Sequence, residues 1–322
     1  MLTTRRKLLV LLTATACVMS TAPYAQTSYP TRPVSIIVPV TPGGPSDLVA
    51  RYLAEQLSTR MHGNFVVENR PGGSHTIGMS QVARANPDGY TLLQAASNMS
   101  MNPAVRSDLP FDTEADFKAV SLTHETPLAV TVSAEMNVNT LPELVEIMKR
   151  DPAQLTYGTT GEGSPQRMAT LLLMSKVGAK GLQEIAYKGS SQAHPDLISN
   201  RISFMIDPIA AVLPHVQSGR LKILAVTTAE RQTLVPDAPT VAEALNIDYT
   251  VTSWGGVFAP KDTPDEVVQQ LNKNLAAILS EETTKTKFLD LGLVAKSSSP
   301  SEFDEHLSKE ISQWKRVVAE AK

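Results

Sequence analysis

The chain has 322 residues, of which 42% are hydrophobic and 19% charged, with a net charge of −3 and a single cysteine. This is a globular composition at about twice the usual domain length, enough for two cores. It excludes a disulfide-stapled scaffold, a disordered chain and a basic nucleic-acid binder.

The N-terminus comes first. Arg5, Arg6 and Lys7 form a short positive region, residues 8–19 carry no charge, and small residues follow. Ser20 and Ala22, or Pro23 and Ala25, stand at the −3 and −1 positions of a cleavage site. This is the pattern of a secretory signal peptide over residues 1–25. The apolar run falls short of the ~20 residues a spanning helix needs. Cys17 lies inside the segment to be removed, and Ala14-Thr15-Ala16 before it fits a lipoprotein anchor poorly. Three cations would leave with the signal, taking the net charge from −3 to −6. This sign argues against long-range steering of an anion, so attraction of an anionic ligand must be local.

After the signal, short apolar runs alternate with helical patterns. Strands are predicted over 34–40, 64–68, 90–95, 128–132, 155–157, 184–187, 202–206 and 221–227, rich in Val and Ile and bounded by Gly, Pro or Asn. Capping boxes are read at Thr140-Leu-Pro-Glu143, Thr240-Val-Ala-Glu243, Thr263-Pro-Asp-Glu266 and Ser299-Pro-Ser-Glu302. The stripes Val267, Leu271, Leu275, Ile278 and Phe303, Leu307, Ile311, Trp314, Val318 are core faces. The alternation predicts an α/β class with mostly parallel sheets. With no Gly- or Ser-rich linker, the strands themselves are expected to cross between two lobes, leaving a cleft at the sheet ends.

Two strand-to-helix turns carry the candidate chemistry. The first holds Thr41, Gly43, Gly44, Ser46 and Asp47; the second holds Thr159, Thr160, Gly163 and Ser164, with Ser164 as N-cap and Pro165 opening the helix. Glycine lets the backbone approach a ligand, and free N–H groups at a helix start make an anion site without a cation. One such loop is usually only a tight turn. Two in different lobes can close on one anion from both sides. Tyr187-Lys188-Gly189 follows a strand, as do Asp207 and the pair Ser97 and Asn98, which places their polar groups at sheet ends.

No nucleophile elbow, zinc-protease helix, phosphate loop or dinucleotide fingerprint occurs, and the six histidines are scattered. No catalytic residue, metal or cofactor is expected. A hydrolase would need Ser164 or Lys188 as nucleophile with Glu162 as base, and no orienting group accompanies them.

Several signatures occur in order along the mature chain: Tyr29-Pro-Thr-Arg-Pro33, Pro42-Gly-Gly44 with Asp47, Val67-Glu-Asn-Arg-Pro-Gly72, Pro87-Asp-Gly-Tyr-Thr-Leu92, Tyr187-Lys-Gly189, Leu224-Ala-Val-Thr227, Pro236-Asp-Ala-Pro-Thr-Val-Ala-Glu243 and Thr252-Ser-Trp254. Through them the chain resembles the Bug family, the substrate-binding proteins of tripartite tricarboxylate transporters. The resemblance implies a type II periplasmic-binding fold, two α/β lobes with crossing hinge segments, with 26–127 and 253–322 in one lobe and 128–252 in the other. It also implies a periplasmic monomer that captures a small carboxylate through backbone N–H groups and hydroxyls and hands it to a membrane permease. A sensor receptor is the alternative recipient. Carried over, the grip falls on Thr41, Gly43, Gly44 and Asp47 on one side and Thr159, Thr160, Gly163 and Ser164 on the other, with Tyr187, Lys188 and Asp207 shaping the far end. Val40-Thr41 and Arg167-Met168 depart from common family residues, and whether Arg167 reaches the ligand stays open.

Overall fold

Val- and Ile-rich runs punctuated by Pro and Gly form strands because branched side chains pack well on a pleated sheet. In the computed structural model, which describes residues 29–321, they build two half-sheets joined through one long strand. The signal segment read over 1–25 lies outside the described residues. In chain order the elements are β1 (Val34–Val38), α1 (Pro45–Arg60), β2 (Phe65–Asn69), α2 (Thr76–Ala83), β3 (Thr91–Ala96), α3 (Asn98–Val105), β4 (Phe117–Ser133), α4 (Leu141–Arg150), β5 (Thr156–Thr159) and α5 (Pro165–Val177). There follow β6 (Gln183–Ala186), α6 (Ser190–Ile198), β7 (Phe204–Pro208), α7 (Ile209–Gln217), β8 (Leu221–Val226), α8 (Val241–Leu245), β9 (Thr252–Pro260), α9 (Asp265–Ser280), α10 (Glu282–Asp290), β10 (Val294–Ala295) and α11 (Pro300–Glu320).

The strand order is β2-β1-β3-β9-β4-β7-β5-β6, with β8 and β10 also paired to β4. Strand β4 is the join. Its first part, Phe117 to Pro127, runs antiparallel to β9, and from Leu128 onward it pairs with β7 and β8. Chain from the second half-sheet returns just before β9, where the Val251 N–H donates to the Thr227 carbonyl at 2.8 Å. The expected crossing strands are thus present, but the sheets are mixed rather than mostly parallel. Pairs β1–β2, β1–β3, β5–β6 and β5–β7 are parallel, while every pairing of β4 or β9 is antiparallel. Chain that leaves one lobe and returns beside itself must run in opposite directions, which sets the centre of the sheet antiparallel.

Strand β9 was not read from the sequence because Gly255-Gly256 interrupts its β-branched pattern. The glycines are required by packing: a Cβ at Gly256 would enter the Phe303 ring, and one at Gly255 the His124 ring. The capping boxes at Thr140, Thr240 and Ser299 form as expected. The one at Thr263 does not. Pro264 caps α9, and the buried Thr263 hydroxyl donates to the Pro260 carbonyl at 2.8 Å instead.

Two apolar clusters sandwich the first half-sheet, one beneath α1, α9 and α10, the other beneath α2, α3 and α11. A third fills the second half-sheet. Helix α11 serves two of them. Phe303, Leu307 and Ile311 pack into the first lobe, whereas Trp314, Val317 and Val318 pack into the second. Just before Ile311, the Glu310 carboxylate accepts from Ser100 Oγ at 2.6 Å and Trp254 Nε1 at 2.8 Å. Because Trp314 is 1% exposed, Trp314→Ala is expected to lower stability by about 3–5 kcal/mol through a lost side chain and its cavity. Urea unfolding checks this, and a loss below ~1 kcal/mol would show that the helix end is not held by that core.

Candidate functional site

Strand β5 ends at Thr159, and Thr160 to Ser164 turn the chain into α5. Gly161 supplies the left-handed backbone of this turn, at φ +108°. Ser164 is the N-cap, its hydroxyl accepting the Arg167 N–H at 3.3 Å, and Gly178 stops the helix at φ +73°. Inside the turn, Thr159 Oγ1 donates to Glu184 Oε1 at 2.7 Å and Thr160 Oγ1 to Gln166 Oε1 at 3.0 Å. Glu162 and Gly163 offer N–H groups that donate to no protein group among the described residues. These donors sit at the positive end of a 13-residue helix. Arg167 Nε pairs with Glu184 Oε2 at 2.8 Å and its Nη1 donates to the Glu162 carbonyl at 3.5 Å.

A cavity of about 400 Å³ lies between the α5 turn and the first lobe. Ser97, Asn98 and Ser253 line it from the ends of β3 and β9, and Thr160, Gly163 and Ser164 line it from the turn. Five of the residues singled out from sequence are therefore brought together: Ser97, Asn98, Thr160, Gly163 and Ser164. Gly163 approaches so closely that a Cβ there would stand 2.7 Å from Asn102 Oδ1.

The opposite wall was missed. Gly72, Gly73, Ser74 and His75 all have positive φ, at 122°, 58°, 53° and 77°. For the two non-glycines this costs on the order of 1–3 kcal/mol each and persists only where neighbours enforce it. The neighbours are one stripe of α3 and its cap. Asn98 Nδ2 meets His75 Nδ1, Asn102 Nδ2 donates to the Ser74 carbonyl at 3.3 Å, and Arg106 Nη1 donates to the Gly73 carbonyl at 3.0 Å. Burial lowers the His75 pKa below its ordinary value, so the imidazole is neutral near pH 7. The available signal was Pro71-Gly72-Gly73 after β2, the same strand, double-glycine and helix order as the first loop.

The first loop stands apart from this cavity. Thr41 and Gly43 are exposed, Gly44 and Ser46 half-buried, and none of the five lines it. Gly43 turns at φ +93°, and Gly44 caps α1 without a side chain. Asp47, 2% exposed, spends both oxygens on the loop itself. Its Oδ2 accepts the Gly43 N–H at 2.9 Å and Arg51 Nε at 3.0 Å, and Oδ1 accepts Asn69 Nδ2 at 2.8 Å. Burial pushes this carboxyl's pKa up, but the Arg51, Gly43 and Asn69 donors together outweigh it and the net shift is downward.

Of the remaining residues, Lys188 is exposed and Tyr187 donates its hydroxyl to Asp196 Oδ2 at 2.9 Å. Burial pushes the Tyr187 phenol up to about 12. Asp207 is fully buried and ties three side chains: Gln166 Nε2 at 3.1 Å, Ser190 Oγ at 2.6 Å and His194 Nε2 at 2.8 Å. It reaches the cavity through Gln166, which holds Thr160. Among the described residues no group of three His, Cys, Asp or Glu could hold a metal, and no helix is long and apolar enough to cross a membrane.

Two α/β lobes joined by crossing strands around an interlobe cavity bordered by Ser, Thr and Asn residues define a periplasmic solute-binding protein. Residues 49–322 match the tripartite tricarboxylate transporter family receptor, TctC, and the chain belongs to that family, the Bug-type substrate-binding proteins. BugT of Bordetella pertussis is 31% identical over 301 residues, 93% of this chain and 92% of its own. An R. palustris protein with adipate is 33% identical at a TM-score of 0.78, covering 91% of this chain and 98% of that one. MatC from Rhodopseudomonas palustris with bound malate is 28% identical at a TM-score of 0.75, covering 90% of this chain and 100% of that one.

The Gly163→Ala variant is expected to push Asn102 off the Ser74 carbonyl and weaken ligand binding about tenfold or more, read by calorimetry; unchanged affinity would show that this close approach is not needed. A second expectation concerns pH. A carboxyl with a lowered folded pKa stabilises fully above its unfolded value of about 4 and loses that contribution as pH falls through the folded value. The stability difference between the protein and Asp47→Asn should therefore be largest near neutrality and shrink as pH falls below about 4. Urea unfolding across that range measures it, and a difference that does not shrink would contradict the pairing.

Proposed function

We propose that the protein captures a small carboxylate in the interlobe cavity and delivers it to the membrane permease of a tripartite tricarboxylate-type transporter. The carrying observation is the start of α5: open N–H groups of Glu162 and Gly163 at a helix N-terminus, beside the Thr160 hydroxyl, on a cavity of about 400 Å³. Backbone donors there attract a carboxylate without requiring a lysine or arginine. Ser97 and Asn98 form the facing wall in this reading. The first loop, with Thr41, Gly43 and Gly44 open and Asp47 holding its shape, joins the grip when the lobes close further. Family membership supports both ligand class and recipient, and two relatives are described with adipate and malate.

The division we propose places 26–127 and 253–322 in one lobe and 128–252 in the other, supported by the change of β4 partners at Pro127/Leu128 and the return before β9. A ligand that touches both lobes favours the closed arrangement, and the closed form is what a permease would read. A hydrolase has no support in the geometry. The Ser164 hydroxyl caps α5 with no imidazole or carboxylate among its partners, and Ser190 donates to Asp207 rather than to His194, so no serine–histidine pair forms there.

Thermal unfolding against mono-, di- and tricarboxylates tests the proposal. At a hundredfold excess over Kd a matching ligand should add about 2.7 kcal/mol of stability. No shift with any carboxylate would sink it.

A further inference from the structure

The lobes also meet beside the crossing of β4, on the side of the sheet away from the cavity. Glu125 pairs with Trp254 of β9 on one edge and Val294 of β10 on the other, and Leu128, past the crossing, pairs with Pro208 of β7. Strands β10 and β7 therefore follow one another along one edge of β4. The chain entering β10 and the chain leaving β7 converge there, where Gly292 meets Ala210 in the first turn of α7. A Cβ built on Gly292 would overlap the Ala210 Cβ. Both partners are firmly held. Gly292 turns at φ +70°, its N–H donates to the Leu289 carbonyl at 2.8 Å, and the N–H of Leu293 donates to the Phe288 carbonyl at 2.9 Å. Phe288 and Leu293 are buried. On the other side, Ala210 follows the buried Ile209 and Asp207, whose carboxylate ties three side chains. Neither partner can give way without disturbing a packed core.

The place of this contact decides what it controls. Gly292 follows α10, which shares a core with α1, the helix the first loop runs into. In β7, Met205 packs toward α6 and α7 while Phe204 and Ile206 face the α5 core, so α7 lies across the sheet from the cavity turn. The contact thus spans the two lobes on the side of the first loop. We infer that Ala210 seated on Gly292 is the spacer that sets how near the first loop comes to the second lobe, which makes both of them positioning residues for binding. The inference rests on the reading in which that loop joins the grip. Leverage favours it. Strand β1, which carries the loop, stands three strands from β4, roughly 14 Å away at ~4.8 Å per strand, so a small displacement beside the crossing becomes a larger one at Thr41 to Gly44.

The test enlarges the spacer and reads the lobes directly. Spin labels go on Glu55→Cys and Gln192→Cys, exposed positions of α1 and α6, with the one cysteine removed by Cys17→Ser. In this background Ala210→Leu should lengthen the mean distance between the labels, measured by pulsed electron resonance without ligand, because an overfilled contact between two fixed partners shifts backbone. Calorimetry with malate, succinate and adipate should then show binding about fivefold or more weaker than with Ala210. Ala210→Ser, one atom larger, should move both readings the same way by less, and decides the matter if the leucine variant does not fold. An unchanged distance overturns the inference, and so does tighter binding by the enlarged variants. Because the distance needs no ligand, failure of all three carboxylates to bind counts against the carboxylate reading and leaves the spacer to be judged on the labels.

Discussion

An α-helix cannot satisfy its own first N–H groups, and where its start is buried against another lobe they must be met by side chains, water or a ligand. At the start of α5 that constraint is only partly met. Ser164 takes the Arg167 N–H, Pro165 has none to offer, the Ser164 N–H donates to the Gly161 carbonyl, and in the cavity-lining turn ahead of them the Glu162 and Gly163 N–H groups have no protein partner among the described residues. The surroundings keep this start in place. Asp207 anchors Gln166, Gln166 anchors Thr160, and Glu184 takes both Thr159 and Arg167. A buried carboxylate is stable here because it is fully hydrogen-bonded, and its effect on ligand is indirect, through the turn it immobilises.

Facing this turn, the first lobe presents a strained segment that runs into α2, together with the start of α3 at Ser97 and Asn98. The left-handed run at Gly72 to His75 is expensive for Ser74 and His75, and α3 meets the cost with Asn98, Asn102 and Arg106 one turn apart. Such geometry brings backbone and short polar groups to a cavity with little freedom to lose on binding. Helix α11, with one half in each core, couples the two walls. Relative motion of the lobes must bend or re-seat that helix around Glu310, which joins it to α3 and β9.

Much of this was legible in the residues and some was not, for identifiable reasons. Periodicity and capping boxes located most strands and helices, with strand ends displaced by one or two residues except at β4, whose first part, Phe117–Pro127, lay outside the strand read at 128–132. The β9 strand escaped because Gly255 and Gly256 are dictated by the His124 and Phe303 rings, contacts that local pattern does not carry. The Thr263 box failed because its hydroxyl had a better partner in the preceding strand end. At the site, Thr160, Gly163 and Ser164 were visible through glycine and capping grammar, and Ser97 and Asn98 through their place after a strand. Ser74 and His75 were not, since left-handed backbone at non-glycine residues is enforced by distant side chains. Asp47 and Asp207 were visible as polar residues at sheet ends, but their partners, which commit them to holding loops in place, are tertiary.

The most direct measurement is a crystal structure of the gently purified protein with its bound carboxylate. The account predicts ligand oxygens within hydrogen-bond distance of the Gly163 backbone N–H and the Thr160 hydroxyl, between the α5 turn and Asn98. A carboxylate bound elsewhere, with the α5 start left to solvent, would contradict it.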